Sequence, residues 1–244
     1  MTSGWPGAGA EEINGARARL PVDMTTLGLI GSGNIGGNVA RLAVAAGYDV
    51  VLSNSRDPRT LDGLVAELGP AARAAHPREA AQAAELVLVS TPVKAYPALP
   101  GDVFAGKTVL DTGNYYPARD GQVAALDDRT LTGSEYLATF LPGARVVKVF
   151  NNIFYKHLLN LARPSGAADR SYLPVAGNDA DLETAAAFLD AIGYGTAGYS
   201  PLSEGWRQEP GTPVYGGAYG DMNDEKGTPA SEAHIRALLA AAAR

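Results

Sequence analysis

A chain of 244 residues with 20 lysines and arginines against 26 aspartates and glutamates carries a formal net charge of −6 and no cysteine. That balance gives no electrostatic footing for nucleic acid, and the missing thiols exclude disulfides, thiolate metal ligands and a cysteine nucleophile. The length suffices for one substantial core with an appendage. No apolar run approaches the ~20 residues of a membrane-spanning helix, so a cytoplasmic protein without membrane partners is expected.

Residues 1–23 carry Gly, Ala, Pro and scattered charge without sustained periodicity, which predicts a flexible tail ending before Met24. The first ordered stretch, Thr26 to Ile30, reads as a short buried strand running into Gly31-Ser32-Gly33-Asn34-Ile35-Gly36. A helix follows, with apolar residues at Ile35, Val39, Leu42 and Ala46, and Gly47 suits a left-handed cap at its end. In a chain holding 29 glycines the G-x-G-x-x-G pattern alone is weak; the strand before it and the helix after it make it a dinucleotide-site signature. Gly31 permits the tight turn, Gly33 lets backbone approach a pyrophosphate, and Gly36 lets the helix pack closely on the strand. The phosphates would then meet unpaired N–H groups at the positive end of the helix dipole.

The second strand spans Asp49 to Asn54, and Ser55, Arg56, Asp57 and Pro58 follow it. NAD sites usually place an acid here for the ribose 2′-hydroxyl, whereas a guanidinium bonds a 2′-phosphate. Asn54, Ser55 and Arg56 therefore argue for NADP(H). In the competing reading Asp57 takes the ribose hydroxyl and Arg56 only caps the next helix. Leu61–Leu68 is expected to be helical, Ala71–Ala75 a weak strand and Pro77–Ala84 a helix. Glu85–Ser90 is a continuously apolar strand of the kind buried on both faces of a parallel sheet. It delivers Thr91, Pro92 and Val93 to the carboxyl edge, where open α/β sheets bind ligands. Lys107–Thr112 is a further strand, followed by Gly113 and Asn114, where a ribose or carboxamide would lie.

Thr132–Leu141 reads as a helix, and Arg145–Phe150 as a strand presenting Asn151 and Asn152 to the same edge, with Tyr155 on the helix beyond. Tyr172–Gly177, a helix capped by Asp179 and facing inward through Leu182, Ala186 and Leu189, and a short strand near Thr196–Tyr199 complete the alternation. The pattern predicts an α/β fold: a doubly wound, mainly parallel sheet (Rossmann fold) over 24–200, with a C-terminal extension over 201–244 that packs on it or lids it. Within the extension, Trp206–Tyr215 is rigid and aromatic, Gly216–Gly227 suggests a mobile loop, and Thr228-Pro229 suggests the start of a last helix.

The order of these motifs resembles the bacterial and archaeal NADP-dependent coenzyme F420 reductases and the cytosolic reductase domain of the STEAP metalloreductases. The resemblance covers about residues 25–200. It rests on Gly31–Gly36, on Ser55-Arg56-Asp57-Pro58, on Ser134–Ala138 and on Val146–Ile153. It implies that Ser32, Ser55 and Arg56 hold the 2′-phosphate, that Thr91, Pro92 and Asn114 line the nicotinamide side, and that a deazaflavin or flavin (F420, FMN or FAD) stacks near Asn151, Asn152 and Tyr155. A homodimer is implied as well. The archaeal reductases carry histidine where Asn151 stands and an aromatic residue where Val93 stands. The asparagine matches the STEAP-like pattern, which uses a flavin but places tryptophan where Lys156 stands.

Hydride transfer between stacked rings is cofactor chemistry, so no catalytic triad is expected, and no metal-ligand spacing occurs. Lys148 alternates with core positions and reads as structural, and His157 as a packed imidazole. Tyr115 and Tyr116 could stack on an acceptor ring or close a loop. Trp206 and Tyr215 could lid the acceptor or pack the tail. The leading expectation is an enzyme passing a hydride between NADPH and a small-molecule redox acceptor of the F420 or flavin type. The alternatives are a reductase of a small imine or carbonyl, which would need a proton donor beside the nicotinamide, and a non-catalytic NADP(H) sensor.

Overall fold

In the strand Thr26–Ile30 (β1), Leu27 and Leu29 point into one apolar cluster and Ile30 into another, so the sheet is covered on both faces. The computed structural model describes residues 26–199 and 201–244; the tail expected over 1–23 lies outside the described residues. The other strands are β2 (Asp49–Ser53), β3 (Ala72–Ala74), β4 (Leu86–Val89), β5 (Thr108–Asp111), β6 (Arg145–Lys148), β7 (Tyr172–Ala176) and β8 (Gly195–Tyr199). They form one sheet in the order β3-β2-β1-β4-β5-β6-β7-β8. Every pairing is parallel except β6 with β7, which meet antiparallel at Lys148 and Ala176. The doubly wound Rossmann architecture expected from the sequence is thus the one observed. The order reverses between β1 and β4, and a crevice opens at their carboxyl ends, the usual ligand position in such sheets.

Helices α1 (Asn34–Ala45), α2 (Asp62–Leu68) and α3 (Pro77–Gln82) wind the first half. The short helices α4 (Pro117–Asp120), α5 (Ala124–Asp127) and α6 (Gly133–Ala138) follow β5, and α7 (Tyr155–Asn160) follows β6. Helix α8 (Asp179–Ala191) joins β7 to β8, and α9 (Glu232–Ala240) ends the fold. Gly47, at φ +90°, ends α1 in the left-handed conformation expected of it. Two local expectations shift. Asn178, not Asp179, is the cap of α8, and its inward face is Ala185, Phe188 and Leu189 with Leu182 packed partly buried against the same core, while Ala186 is not part of that cluster. Ser231 caps the last helix, three residues beyond Thr228, by accepting the His234 amide at 3.3 Å.

Residues 201–244 are continuous with the main core. Val214, Ala218, Tyr219, Ala230, Ile235 and Leu239 are buried in the same cluster as Leu27 and Leu29. The Tyr172 amide donates to Ala230 O at 2.8 Å, and the Tyr219 hydroxyl to Tyr172 O at 2.9 Å. Among the described residues, no helix is long and apolar enough to cross a membrane.

Helix α3 lies so close to β1 that a Cβ at Gly28 would sit 2.4 Å from Ala80 O. The Gly28→Ala variant should therefore lose about 1–3 kcal/mol of stability by forcing α3 off the sheet. Its urea midpoint, compared with that of the parent chain, measures the loss, and an unchanged midpoint would mean that the helix yields freely.

Candidate functional site

The turn after β1 owes its shape to two glycines. Gly31 has φ +99°, and a Cβ there would stand 2.2 Å from Ser90 O; a Cβ at Gly36 would stand 2.1 Å from Gly31 O. Gly33 differs, because a Cβ there would meet no protein atom within 4 Å, yet the residue lines the crevice. The backbone at Gly33 is thus bare toward empty space. Its carbonyl receives the Gly37 amide at 2.7 Å, the start of the α1 ladder. Helix α1 has no side-chain cap and no acid in its first turn, so its positive end is open to an anion.

Beyond β2 the chain is held in a fixed turn. Asn54 Oδ1 accepts the Arg56 amide at 2.8 Å, and Asn54 Nδ2 donates to Thr60 Oγ1 at 2.9 Å. Asp57 caps the 3-10 turn Pro58–Leu61 by accepting the Arg59 amide at 2.9 Å, and it pairs with the Arg59 guanidinium. Asp57, not Arg56, is therefore the capping residue, and its carboxylate is already engaged. Arg56 has no hydrogen-bonding or ionic side-chain partner among the described residues, and it lines a cleft of about 760 Å³ together with Ser32, Gly33, Asn34 and Thr60. Ser55 is exposed beside it. The Ser32 hydroxyl donates to Ser53 O at 3.0 Å, tying the glycine turn to β2.

A second cavity of about 300 Å³ adjoins the first, with Asn34 and Tyr155 lining both. It collects Ile35, Asn114, Asn151, Asn152 and Tyr155, so residues expected from three separate loops come together here. Asn114 and Asn151 are bonded twice, Nδ2 of Asn114 to Asn151 O at 2.7 Å and Nδ2 of Asn151 to Asn114 Oδ1 at 3.0 Å. The second Asn151 amide proton goes to Gln208 O at 2.7 Å. Phe150, fully buried, holds φ +64°, and this backbone conformation, costly for a residue with a Cβ, turns the chain at the end of β6.

Asn151 Oδ1 and Asn152 Oδ1 in the smaller cavity, Gln208 Oε1 next to Asn151, and Thr91 Oγ1 on the residue packed against Gly31 are buried without a partner in the chain. Buried polar atoms are rarely left this way, and a carboxamide or a ribose hydroxyl would satisfy them. Together with the bare Gly33 and the uncapped α1, they fit a dinucleotide. The other expected residues divide. Pro92 is exposed, whereas Val93, expected to flank the nicotinamide, is 1 % exposed and packed in the apolar cluster with Tyr96 and Phe104. Gly113 is buried as well, and a Cβ there would fall 1.8 Å from the Tyr96 hydroxyl, so the glycine is required by packing.

Under the Asn114 loop lies a polar network that sequence reasoning recognised only at Lys148. The Lys148 ammonium, fully buried, donates to Gly113 O at 2.9 Å and lies 3.8 Å from Asp111 Oδ2 and 3.9 Å from Glu209 Oε1. The Asp111 carboxylate accepts from the Tyr96 hydroxyl at 3.1 Å, the Gly113 amide at 2.8 Å and the Ser134 hydroxyl at 2.6 Å. Burial, and then Asp111, push the Tyr96 phenol well above its ordinary pKa, so it stays a donor. On the outer side, Asp120 accepts the amides of Tyr116 at 3.0 Å and Lys94 at 3.5 Å. Burial opposes the charge on Asp120, but Arg119 and these amides hold its pKa below the usual value. Arg119 also donates to Asn114 O at 2.6 Å. His157 is packed: its Nε2 lies 2.6 Å from Asp224 O. Among the described residues there is no cluster of three or more His, Asp or Glu able to hold a metal.

Residues 26–115 match the family model for NADP oxidoreductase, coenzyme F420-dependent. Over 144 residues the chain is 30 % identical to metalloreductase STEAP3 of Rattus norvegicus, a stretch that is 58 % of this chain and 28 % of that protein. The chain thus spans under a third of that relative's length. Hypothetical protein SMa0349 of Sinorhizobium meliloti superposes with a TM-score of 0.69 and 26 % identity, over 79 % of this chain and 93 % of that one. A protein of Arthrobacter sp. FB24 assigned as an F420-dependent NADP-reductase superposes with a TM-score of 0.59 and 25 % identity, over 72 % and 84 % of the two chains. The resemblance drawn from the sequence is the one these matches give.

Removing the Asp111 carboxylate would leave three buried donors without their acceptor and the buried ammonium with only Glu209 as a counter-charge. Asp111→Ala should cost about 3–5 kcal/mol, and Asp111→Asn, which keeps one acceptor oxygen, should cost less. Urea unfolding of both variants checks the order, and equal midpoints would contradict it.

Proposed function

From residues 26–115, which match the model of the F420-dependent NADP oxidoreductase family, we propose that the chain transfers a hydride between NADPH and the ring of a deazaflavin such as F420, or of a flavin. The observation that carries this reading is the composition of the smaller cavity. No charged side chain lines it, and its walls are amides, small residues and apolar or aromatic groups. A carboxylate-bearing imine would need a cation there, and the cavity's walls supply none. A neutral planar ring stacked on a nicotinamide needs only shape, hydrogen-bond acceptors and the exclusion of water.

NADPH, when bound, supplies the hydride; the chain binds and orients. Arg56 takes the 2′-phosphate, with Ser55, Asn54 and Ser32 beside it. The first-turn amides of α1 from Asn34 to Gly36, with Gly31 and Gly33 in the turn, take the pyrophosphate. Thr91 Oγ1 and Asn151 Oδ1 accept from the nicotinamide ribose or carboxamide, and Asn114 keeps Asn151 in that orientation. Pro92 borders the crevice, while Val93 and Gly113 act from beneath by packing. Tyr155 stands between the two cavities and Asn152 anchors the C-terminal wall. The dinucleotide-binding unit is then 24–200, and 201–244 closes the acceptor side.

Two measurements test this reading. Arg56→Ala should weaken NADPH binding by about 1.5–3 kcal/mol and leave NADH nearly untouched; equal losses for the two would remove the 2′-phosphate assignment. Steady-state NADPH oxidation should proceed with F420, FMN or FAD and not with 1-pyrroline-5-carboxylate. The reverse preference would favour an imine reductase, and no turnover with any of them a sensor.

A further inference from the structure

Among the described residues only Leu159 and Met222 are large hydrophobic side chains that remain exposed, and Met222 is 54 % exposed. Met222 lines the smaller cavity together with Asn34 and Ile35 of the glycine turn and with Tyr215 and Gly216. Its loop is tied down on both sides. The Gly216 amide donates to Asn152 O at 3.2 Å, and the Tyr215 hydroxyl is bonded to that of Tyr116. Beyond Met222, Lys156 pairs with Glu225, and Asn160 Nδ2 donates to Glu225 O at 2.6 Å. A thioether that lines an uncharged cavity, on a loop with anchored flanks, has a defined place from which to meet a ligand in that cavity.

We infer that Met222 is a specificity-determining residue for the hydride acceptor: its thioether lies against the outer face of a neutral, planar heteroaromatic ring whose inner face meets the nicotinamide. This rests on the ring-acceptor reading above and goes beyond it, because Met222 lies outside residues 26–115, the stretch matched to the family. Sulfur and methyl groups pack well on aromatic faces and adapt to ring size, and they contribute nothing comparable toward a small aliphatic imine. Met222 lines this cavity of about 300 Å³ and is itself more than half exposed, so the cavity is open to solvent on its side. The acceptor's polar side chain would therefore extend past Met222 into solvent. The acceptor's ring is selected by this wall, and its tail is not.

Kinetics of the full chain with NADPH and F420, FMN or lumiflavin, comparing the parent, Met222→Ala and Met222→Leu, test the inference. Met222→Ala should raise the KM of whichever ring the parent reduces by about three- to tenfold. The Kd for NADPH should stay constant, and Met222→Leu should recover most of the loss. An unchanged ring KM in Met222→Ala, or a parallel change in the NADPH Kd, would overturn the assignment while leaving the ring-acceptor reading in place. If the parent reduces none of these rings, that reading fails and the role of Met222 falls with it.

Discussion

The structure depends on how closely the start of α1 approaches the ends of β1 and β4. Any side chain at Gly31 or Gly36 would collide with backbone at 2.1–2.2 Å, so the turn exists only with glycine at both positions. Close packing brings the positive end of α1 to the point where the strand order reverses and leaves Gly33 bare beside it. The sheet thereby offers one edge at which an anion finds unpaired N–H groups, and the loops after β2, β4, β5 and β6 are placed around that edge.

A second constraint joins those loops to one another. Lys148 sits at the end of β6, directly beside Asp111 at the end of β5 in the sheet register. Its ammonium holds the Gly113 carbonyl, while the carboxylate it faces takes Tyr96 from the loop after β4, and Glu209 brings in the C-terminal segment. Buried charges are costly unless every partner is supplied, and here the partners come from four separate stretches of chain. The network fixes the height of Asn114, and Asn114 fixes Asn151. Phe150, at positive φ, and the two paired asparagines are thus held from below.

Much of this was legible in the sequence. Apolar runs such as Leu86–Val89 marked buried parallel strands, and the strand, glycine turn and helix around Gly31–Gly36 marked the crevice at the sheet's carboxyl edge. The loop from Asn54 to Asp57 carried its chemistry openly, although only the structure separates Arg56, without a partner, from Arg59, already paired with Asp57. What stayed hidden depends on packing across long sequence separations. Val93 follows the strand like a cofactor-lining residue, yet it turns into the core because its 3-10 turn (Val93–Ala98) points it at Phe104 and Tyr96. Gly113 looked like a ligand glycine and is one required by the Tyr96 hydroxyl. The segment Gly216–Gly227 had the composition of a mobile loop, but Lys156, His157 and Asn160 of α7 pin it, and no local pattern announces contacts made over more than sixty residues.

The central claim, an NADP(H) molecule lying from Arg56 across the glycine turn to the Asn114–Asn151 pair, is tested most directly by a crystal structure of the chain grown with saturating NADPH. The account predicts the 2′-phosphate against the Arg56 guanidinium, the pyrophosphate at the first-turn amides of α1, and donors of the nicotinamide half within hydrogen-bond distance of Thr91 Oγ1 and Asn151 Oδ1. A dinucleotide running the opposite way, or density for it anywhere other than this crevice, would contradict it.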